Sequence, residues 1–225
     1  MKEMMLHQEE LAENPTTRVP VGLCLDTSGS MDGEPIQELN EGVRILCEEI
    51  RNDLIANPSV EICIVTFGNQ AMKMSDFCRL HEKPENIPLL TASGMTPMGA
   101  GVDMSLDLCE RRKNEYAANG VDYYQPWLVL MTDGFPTDNI EVAVSRTNQL
   151  VLNGKLTVFP IGFGPTADLN TLARFSPKRQ PMRLKDGKMK DFFEWLSKSI
   201  QVVSRSNPSQ NPNLPGGVGG WGQLI

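Results

Sequence analysis

Apolar positions along the chain follow two alternating periods. From Val19 to Leu25, Val21, Leu23 and Leu25 stand two apart with Gly22 and Cys24 between them, the period of an extended strand. Pro20 is compatible with that strand because it lies at its start. After Pro35, which fits the first turn of a helix, Ile36, Leu39, Val43, Leu46, Ile50 and Leu54 recur at steps of three and four and predict one apolar helical stripe. "VEICIVTF" (Val60–Phe67) is a second strand, and Ala71–Met74 a short edge strand. Met98, Val102, Leu106 and Cys109 return to the helical period. "WLVLM" (Trp127–Met131) is continuously apolar, as in a strand buried on both faces. Asp138 with Glu141 resembles a capping box opening a helix through Ile140, Val144, Thr147 and Val151, with Gly154 as its stop. "LTVFPI" (Leu156–Ile161) is the next strand, and the missing donor of Pro160 predicts a bulge or strand end. Helices around Leu169–Phe175 and Phe192–Val203 complete the pattern.

Strands alternating with helices predict an α/β fold: a doubly wound, mostly parallel sheet with helices on both faces and one short antiparallel edge strand. The 225 residues suit one such domain. The expected organisation is an N-terminal extension over 1–17, a domain over 18–206 and a Pro/Gly-rich flexible tail over 207–225. That tail lacks any apolar period, so it cannot repay its ordering entropy by local structure, and Trp221 on such a tether suits a docking anchor.

Candidate chemistry sits where the strands end. In such sheets ligands bind outside the carboxyl ends of the strands, near the switch in strand order. "DTSGSM" follows the first strand and sets Asp26, Ser28 and Ser30 at alternate positions, so one carboxylate and two hydroxyls can converge. "SGMTPMGAG" (Ser93–Gly101) offers Thr96 ahead of a helix, and "LMTDGFPTD" (Leu130–Asp138) offers Asp133 just after the buried strand. Oxygen ligands of this kind suit a hard divalent cation. Any one of the loops alone reads better as a polar turn or a helix cap, and only the three together favour a metal site.

Together, "DTSGSM", "GMTPMG" and "MTDGFPTD" resemble the three parts of the metal-ion-dependent adhesion site of von Willebrand factor type A domains, Asp-x-Ser-x-Ser followed by a Thr and an Asp. The resemblance runs from about Val19 to Val203. It implies that Ser28, Ser30 and Thr96 bind Mg²⁺, or Mn²⁺ or Ca²⁺, directly. It further implies that Asp26 and Asp133 hold the cation directly or through water, and that a protein partner's Asp or Glu takes an open position. "SGSMDGEPI" and "IGFGPTADLNTLARFS" further resemble the bacterial TerY/YegL-like branch linked with tellurium resistance and stress operons, where kinase and phosphatase partners are implied. A substrate-recruiting partner of a MoxR-type AAA+ ATPase is the alternative.

The rest of the sequence narrows the function class. A net charge of −7 argues against nucleic acid or an anionic membrane as partner. "MKEMMLHQEE" has no apolar leader region, and no run approaches about 18 apolar residues, so the expected location is cytoplasmic. Five cysteines without a CxxC pair (Cys24, Cys47, Cys63, Cys78, Cys109) suit small buried hydrophobes better than disulfides or a zinc site. Catalysis is poorly supplied. "GMTPMGAG" has Ala100 and Gly101 where a phosphate-binding loop needs Lys and Ser/Thr, Ser28 lies outside any G-x-S-x-G, and the histidines are His7 and His81. A metal-dependent phosphoester hydrolase is therefore the weaker alternative to a non-catalytic interaction module. Basic residues concentrate from Arg174 through Lys178, Arg179, Arg183, Lys185 and Lys188 to Lys190, which suits a solvated face more than a docking patch.

Overall fold

The protein, seen in a computed structural model, is described over residues 16–80, 87–207 and 212–224. Its strands are β1 (Val19–Asp26), β2 (Val60–Phe67), β3 (Ala71–Arg79), β4 (Trp127–Thr132), β5 (Thr157–Gly162), β6 (Met182–Leu184) and β7 (Gly222–Leu224). Its helices are α1 (Glu34–Asn52), α2 (Ala56–Ser59), α3 (Met98–Asn119), α4 (Glu141–Leu152), α5 (Leu169–Arg174), α6 (Met189–Ser204) and α7 (Val218–Trp221), with a 3₁₀ turn at Gly29–Met31. The strands form one sheet in the order β3-β2-β1-β4-β5-β6-β7. The five central strands run parallel, and β3 and β7 pair antiparallel at the two edges. The expected doubly wound α/β sheet is therefore present. The edge strand expected at 71–74 extends to Arg79, and a second antiparallel strand closes the other edge.

Alternation along the strands builds a core on each face. Val19, Val21, Leu23 and Leu25 of β1, Val129 and Met131 of β4, and Phe159 and Ile161 of β5 join Leu39, Val43, Leu46, Phe192, Phe193 and Leu196 from α1 and α6. The intervening Cys24, Leu128, Leu130 and Val158 face the opposite way, with Val102 and Leu106 of α3 and Val144 and Val151 of α4. Two-sided burial is why β4 reads as an unbroken apolar run. All five cysteines are free, and Cys24, Cys47, Cys63 and Cys109 are buried; burial pushes the thiol of Cys24 up to about 12, which keeps it an inert hydrophobe.

Several sequence expectations need correction. Leu54 is not part of the α1 stripe: it is 93% exposed, because Asp53 Oδ1 accepts from the amides of Ile55 and Ala56 and turns the chain after Asn52. Pro160 causes no bulge, and β5 keeps register with β4 through Leu130 and Pro160. The amides of Thr157 and Phe163 donate to Pro126 and Thr132 on the β4 side, so the position of Pro160 faces the other neighbour. There β6 pairs only from Ile161 onward, and no donor is missed. Asp138 does not cap its own helix; Asn139 Oδ1 accepts from the Glu141 amide instead.

The flexible tail is also overturned over 212–224. β7 pairs with β6, the Trp221 carbonyl accepts from the Lys185 amide, and Trp195 Nε1 donates to the Pro215 carbonyl at 2.8 Å. Trp221 is not a free anchor: it is buried, with ring centroids 5.4 Å from Phe192 and 5.3 Å from Trp195. Its order comes from pairing and aromatic packing with distant residues, which no local period announces. Residues 208–211 and 225, most of the 1–17 extension with His7, and His81 lie outside the described residues.

The basic run from 174 to 190 is dispersed into local contacts. Arg174 pairs with Glu141, Arg183 donates to the carbonyls of Gly164 and Ala167, Lys185 to that of Gly219, and Lys188 pairs with Asp191. At the amino ends of the strands, Glu61 is completely buried. Arg112 binds it in a two-pronged pair at 2.7 and 2.8 Å, Tyr116 Oη donates to it at 2.6 Å, and Arg18 Nε lies 3.5 Å away. No helix among the described residues is long and apolar enough to cross a membrane.

Candidate metal centre

β1 and β4 are neighbours, but the chain leaves β1 toward β2 on one side and reaches β4 on the other. Their carboxyl ends therefore flank the switch point, where a crevice opens. The loop after β1 carries Asp26, Ser28 and Ser30, and the loop after β4 carries Asp133.

A chain of short bonds joins these side chains. Asp26 Oδ1 accepts from the Ser28 amide at 2.8 Å, and Ser28 Oγ lies 3.0 Å from Ser30 Oγ. Ser30 Oγ donates to Asp133 Oδ1 at 2.8 Å. Asp26 Oδ2 accepts from Thr132 Oγ1 at 2.5 Å. The structure thus brings four of the five expected residues into one connected cluster. Asp26, Ser28 and Asp133 are buried and Ser30 is exposed.

Thr96 reaches the same place through its backbone. Its amide donates to Thr137 Oγ1 at 3.0 Å, and its carbonyl accepts from the Thr137 amide at 2.9 Å, which fastens it to the β4 loop. On the other side the Gly29 amide donates to the Gly94 carbonyl and the Ser93 amide to that of Thr27, which fastens the same loop to the β1 loop. The Thr96 hydroxyl stands outside these bonds. Gly94 has a φ of 79°, and a Cβ there would lie 2.1 Å from Asn69 Oδ1, so only glycine allows this approach.

Three supporting roles escaped sequence reasoning, that of Asp138 because its spacing assigns it to its own helix. Thr132 fixes Asp26, Thr137 positions Thr96, and Asp138 accepts from the amides of Gly99 and Ala100, capping α3 from a different loop. A hydroxyl ending the apolar run of β4 was the signal for Thr132. Nothing in the sequence links Thr137 or Asp138 with residues some 40 positions earlier.

Electrostatically the cluster is one-sided. Burial pushes the Asp26 carboxyl up to about 6, against the bonds from Thr132 and Ser28 and with the charge of Asp133 adding to the rise. Burial raises Asp133 as well, opposed by the bond from Ser30. No Lys, Arg or His among the described residues forms an ion pair with either. Two neighbouring buried carboxylates without a counter-cation are costly as anions. Among the described residues no group of three or more His, Cys, Asp or Glu side chains could hold a metal, so any cation here depends on hydroxyl oxygens. Two carboxylates and the hydroxyls of Ser28 and Ser30 form an all-oxygen cluster, with Thr96 on a loop bonded to both of theirs, and such oxygens fit a hard divalent ion.

Comparison with known proteins agrees with this architecture. The chain is 24% identical over 158 residues to the uncharacterized protein sll0103 of Synechocystis sp. (strain ATCC 27184 / PCC 6803 / Kazusa). The match takes in 68% of this chain but 34% of that protein, so the chain spans about a third of the length of this curated relative. Among solved structures, a von Willebrand factor type A protein from Catenulispora acidiphila superposes with a TM-score of 0.65 at 15% identity, over 83% of this chain and 43% of that one. Proximal thread matrix protein 1 from the mussel byssus, in a structure with a zinc-occupied MIDAS motif, gives 0.60 at 17% identity, over 82% and 48%. These likenesses are of fold. The sequence profile of the von Willebrand factor type A domain matches residues 21–135, just over half of the chain and the part holding all five candidate ligands, so the chain belongs to the von Willebrand factor type A domain family.

Proposed function

We propose that this domain is a non-catalytic, metal-dependent protein-recognition module. In this reading Ser28, Ser30 and Thr96 supply hydroxyl ligands, while Asp26 and Asp133 hold a divalent cation directly or through water. Mg²⁺ is the first candidate, with Mn²⁺ or Ca²⁺ as alternatives. The observation that carries the reading is the pair of buried carboxylates, Asp26 and Asp133, joined through hydroxyls and paired with no cation among the described residues. Zinc at the corresponding motif of the byssus protein supports a divalent ion on this fold. When bound, the ion supplies an electrophilic centre for an incoming carboxylate, because mostly neutral hydroxyl ligands leave its charge under-neutralised. The chain's own contribution is to hold the ligand loops, through Thr132 and Thr137, in place before the ion arrives.

The partner donates an Asp or Glu to the open position. Exposed Met95 and Phe135, each beside a candidate ligand, offer apolar contact around it. "SGSMDGEPI" and "IGFGPTADLNTLARFS" support an adaptor of the TerY/YegL-like type, acting in the cytoplasm with kinase and phosphatase partners in a stress or tellurium-resistance system. Recruitment of substrates to an AAA+ ATPase is the second reading. Calorimetric titration with Mg²⁺, Mn²⁺ and Ca²⁺, followed by co-purification with and without EDTA, tests the proposal. Saturable cation binding and a partner lost in EDTA support it; a partner retained equally in EDTA would overturn it.

A further inference from the structure

None of the candidate metal ligands lines the space between α5 and the loop that leads to β6. A cavity of about 350 Å³ opens there, lined among others by Asn170, Ser176, Lys178, Arg179 and Gln180. That volume is at the small end of ordinary ligand cavities. None of its lining residues is acidic, in a chain with 28 acidic and 21 basic residues.

Two of its donor side chains, Ser176 and Arg179, have no hydrogen-bond partner among the described residues. Ser176 is buried, yet its hydroxyl makes no hydrogen bond among the described residues. The Arg179 guanidinium lies over the Phe159 ring, 4.3 Å from the centroid. Stacking holds its plane but satisfies none of its N–H donors, and it forms no hydrogen bond or ion pair among the described residues. Arg44, Arg111, Arg146, Arg174 and Arg205 all face carboxylates, and Arg183 donates to backbone carbonyls. Burial pulls the Arg179 pKa below the usual arginine value, the mark of a desolvated cation without a counter-charge. Lys178 Nζ donates to the Leu152 carbonyl at 3.3 Å and keeps further N–H donors.

We propose that this cavity binds the phosphoryl group of a small phosphate monoester. Arg179 and Lys178 supply the charge, and the Ser176 hydroxyl supplies a directed bond. Two cations together with hydroxyl and amide donors match a dianion with three terminal oxygens better than a single carboxylate. Covering Phe159 accounts for the placement of Arg179. It does not account for an orphaned hydroxyl beside it or for a lining free of acids.

The test is calorimetric titration of the full chain in EDTA at constant ionic strength, so that phosphate cannot report through a cation at the other site. Inorganic phosphate and glycerol 3-phosphate are the probes, against wild type, Ser176→Ala and Arg179→Gln. Saturable binding is expected, about tenfold weaker in Ser176→Ala and about a hundredfold weaker in Arg179→Gln. Equal affinity for the two probes assigns the site to the phosphate ion itself. Tighter binding of the monoester shows that its organic part fills the rest of the cavity. Arg179→Gln uncovers an aromatic ring, so Ser176→Ala carries the test if that variant fails to fold. Absence of saturation with both probes, or unchanged affinity in Ser176→Ala, would overturn the proposal.

Discussion

The molecule buries carboxylates at opposite ends of its sheet, and it treats them differently. At the amino ends, Glu61 is enclosed by Arg112, Arg18 and Tyr116. Burial opposes the charged guanidinium of Arg112, and Glu61 more than offsets this, so the Arg112 pKa is raised. At the carboxyl ends, Asp26 and Asp133 meet hydroxyls, backbone amides and each other's charge but no cation among the described residues, and both carboxyls are pushed up. The first cluster supplies its own counter-charge and serves the fold. The second finds no counter-charge among the described residues, as the proposed cation site requires. A buried acid with internal cations is a structural element, whereas a buried acid pair without them is a site waiting for a ligand.

The largest expected effect comes from breaking the self-compensated end. Glu61→Gln strands the two arginines and should cost about 3–5 kcal/mol, a fall in melting temperature of about 10 °C. Calorimetric melts with and without Mg²⁺ should show the same loss. A loss confined to the Mg²⁺ condition would break the comparison.

Asp26→Asn should do the reverse. It removes an anion that the fold leaves uncompensated, so the metal-free protein should be as stable as wild type or more so. Stabilisation of wild type by Mg²⁺, about 2.7 kcal/mol at a hundredfold excess over Kd, should vanish in the variant. Destabilisation of the metal-free variant would show that the carboxylate serves the fold after all.

Acidity sharpens the same contrast. Burial holds the folded pKa of Asp26 at about 6, above the ordinary aspartate value of 3.8. Its contribution to metal-free stability is therefore fully present below about 3.8 and lost as pH rises through about 6. Wild type measured against Asp26→Asn should lose stability between about pH 4 and about pH 7 in EDTA. The shift produced by added Mg²⁺ should grow over the same range, since cation and proton compete for the carboxylates. A flat difference between the two proteins would contradict the burial of Asp26 as an anion.

The smallest effect is expected from Tyr116→Phe. It removes one bond to Glu61 while leaving the arginines in place, and should cost about 1.5 kcal/mol by denaturant melts, whatever the cation. A cost as large as that of Glu61→Gln would mean that the phenol, and not the guanidinium pair, holds the cluster.

Sequence alone determined the parts of this protein that depend on local order. Strand and helix periods placed β1, β2, β4, β5, α1, α3 and α6, because a half-buried or buried element repeats its apolar residues at its own pitch. The alternate spacing of Asp26, Ser28 and Ser30, with Thr96 and Asp133 at later strand-to-helix loops, marked the candidate ligands before any contact was known. Only the tertiary structure decided what depends on partners distant in sequence. It brought Thr132 onto Asp26 across 106 positions and Arg112 onto Glu61 across 51. It made Asp138 a cap for α3, and it turned an aperiodic Gly-rich tail into an edge strand held by Trp221. Hydrogen bonds and charge compensation between separate loops leave no period in a sequence. Which buried acid is neutralised from within the chain, and which has no cation beside it among the described residues, is therefore decided only when the chain is folded.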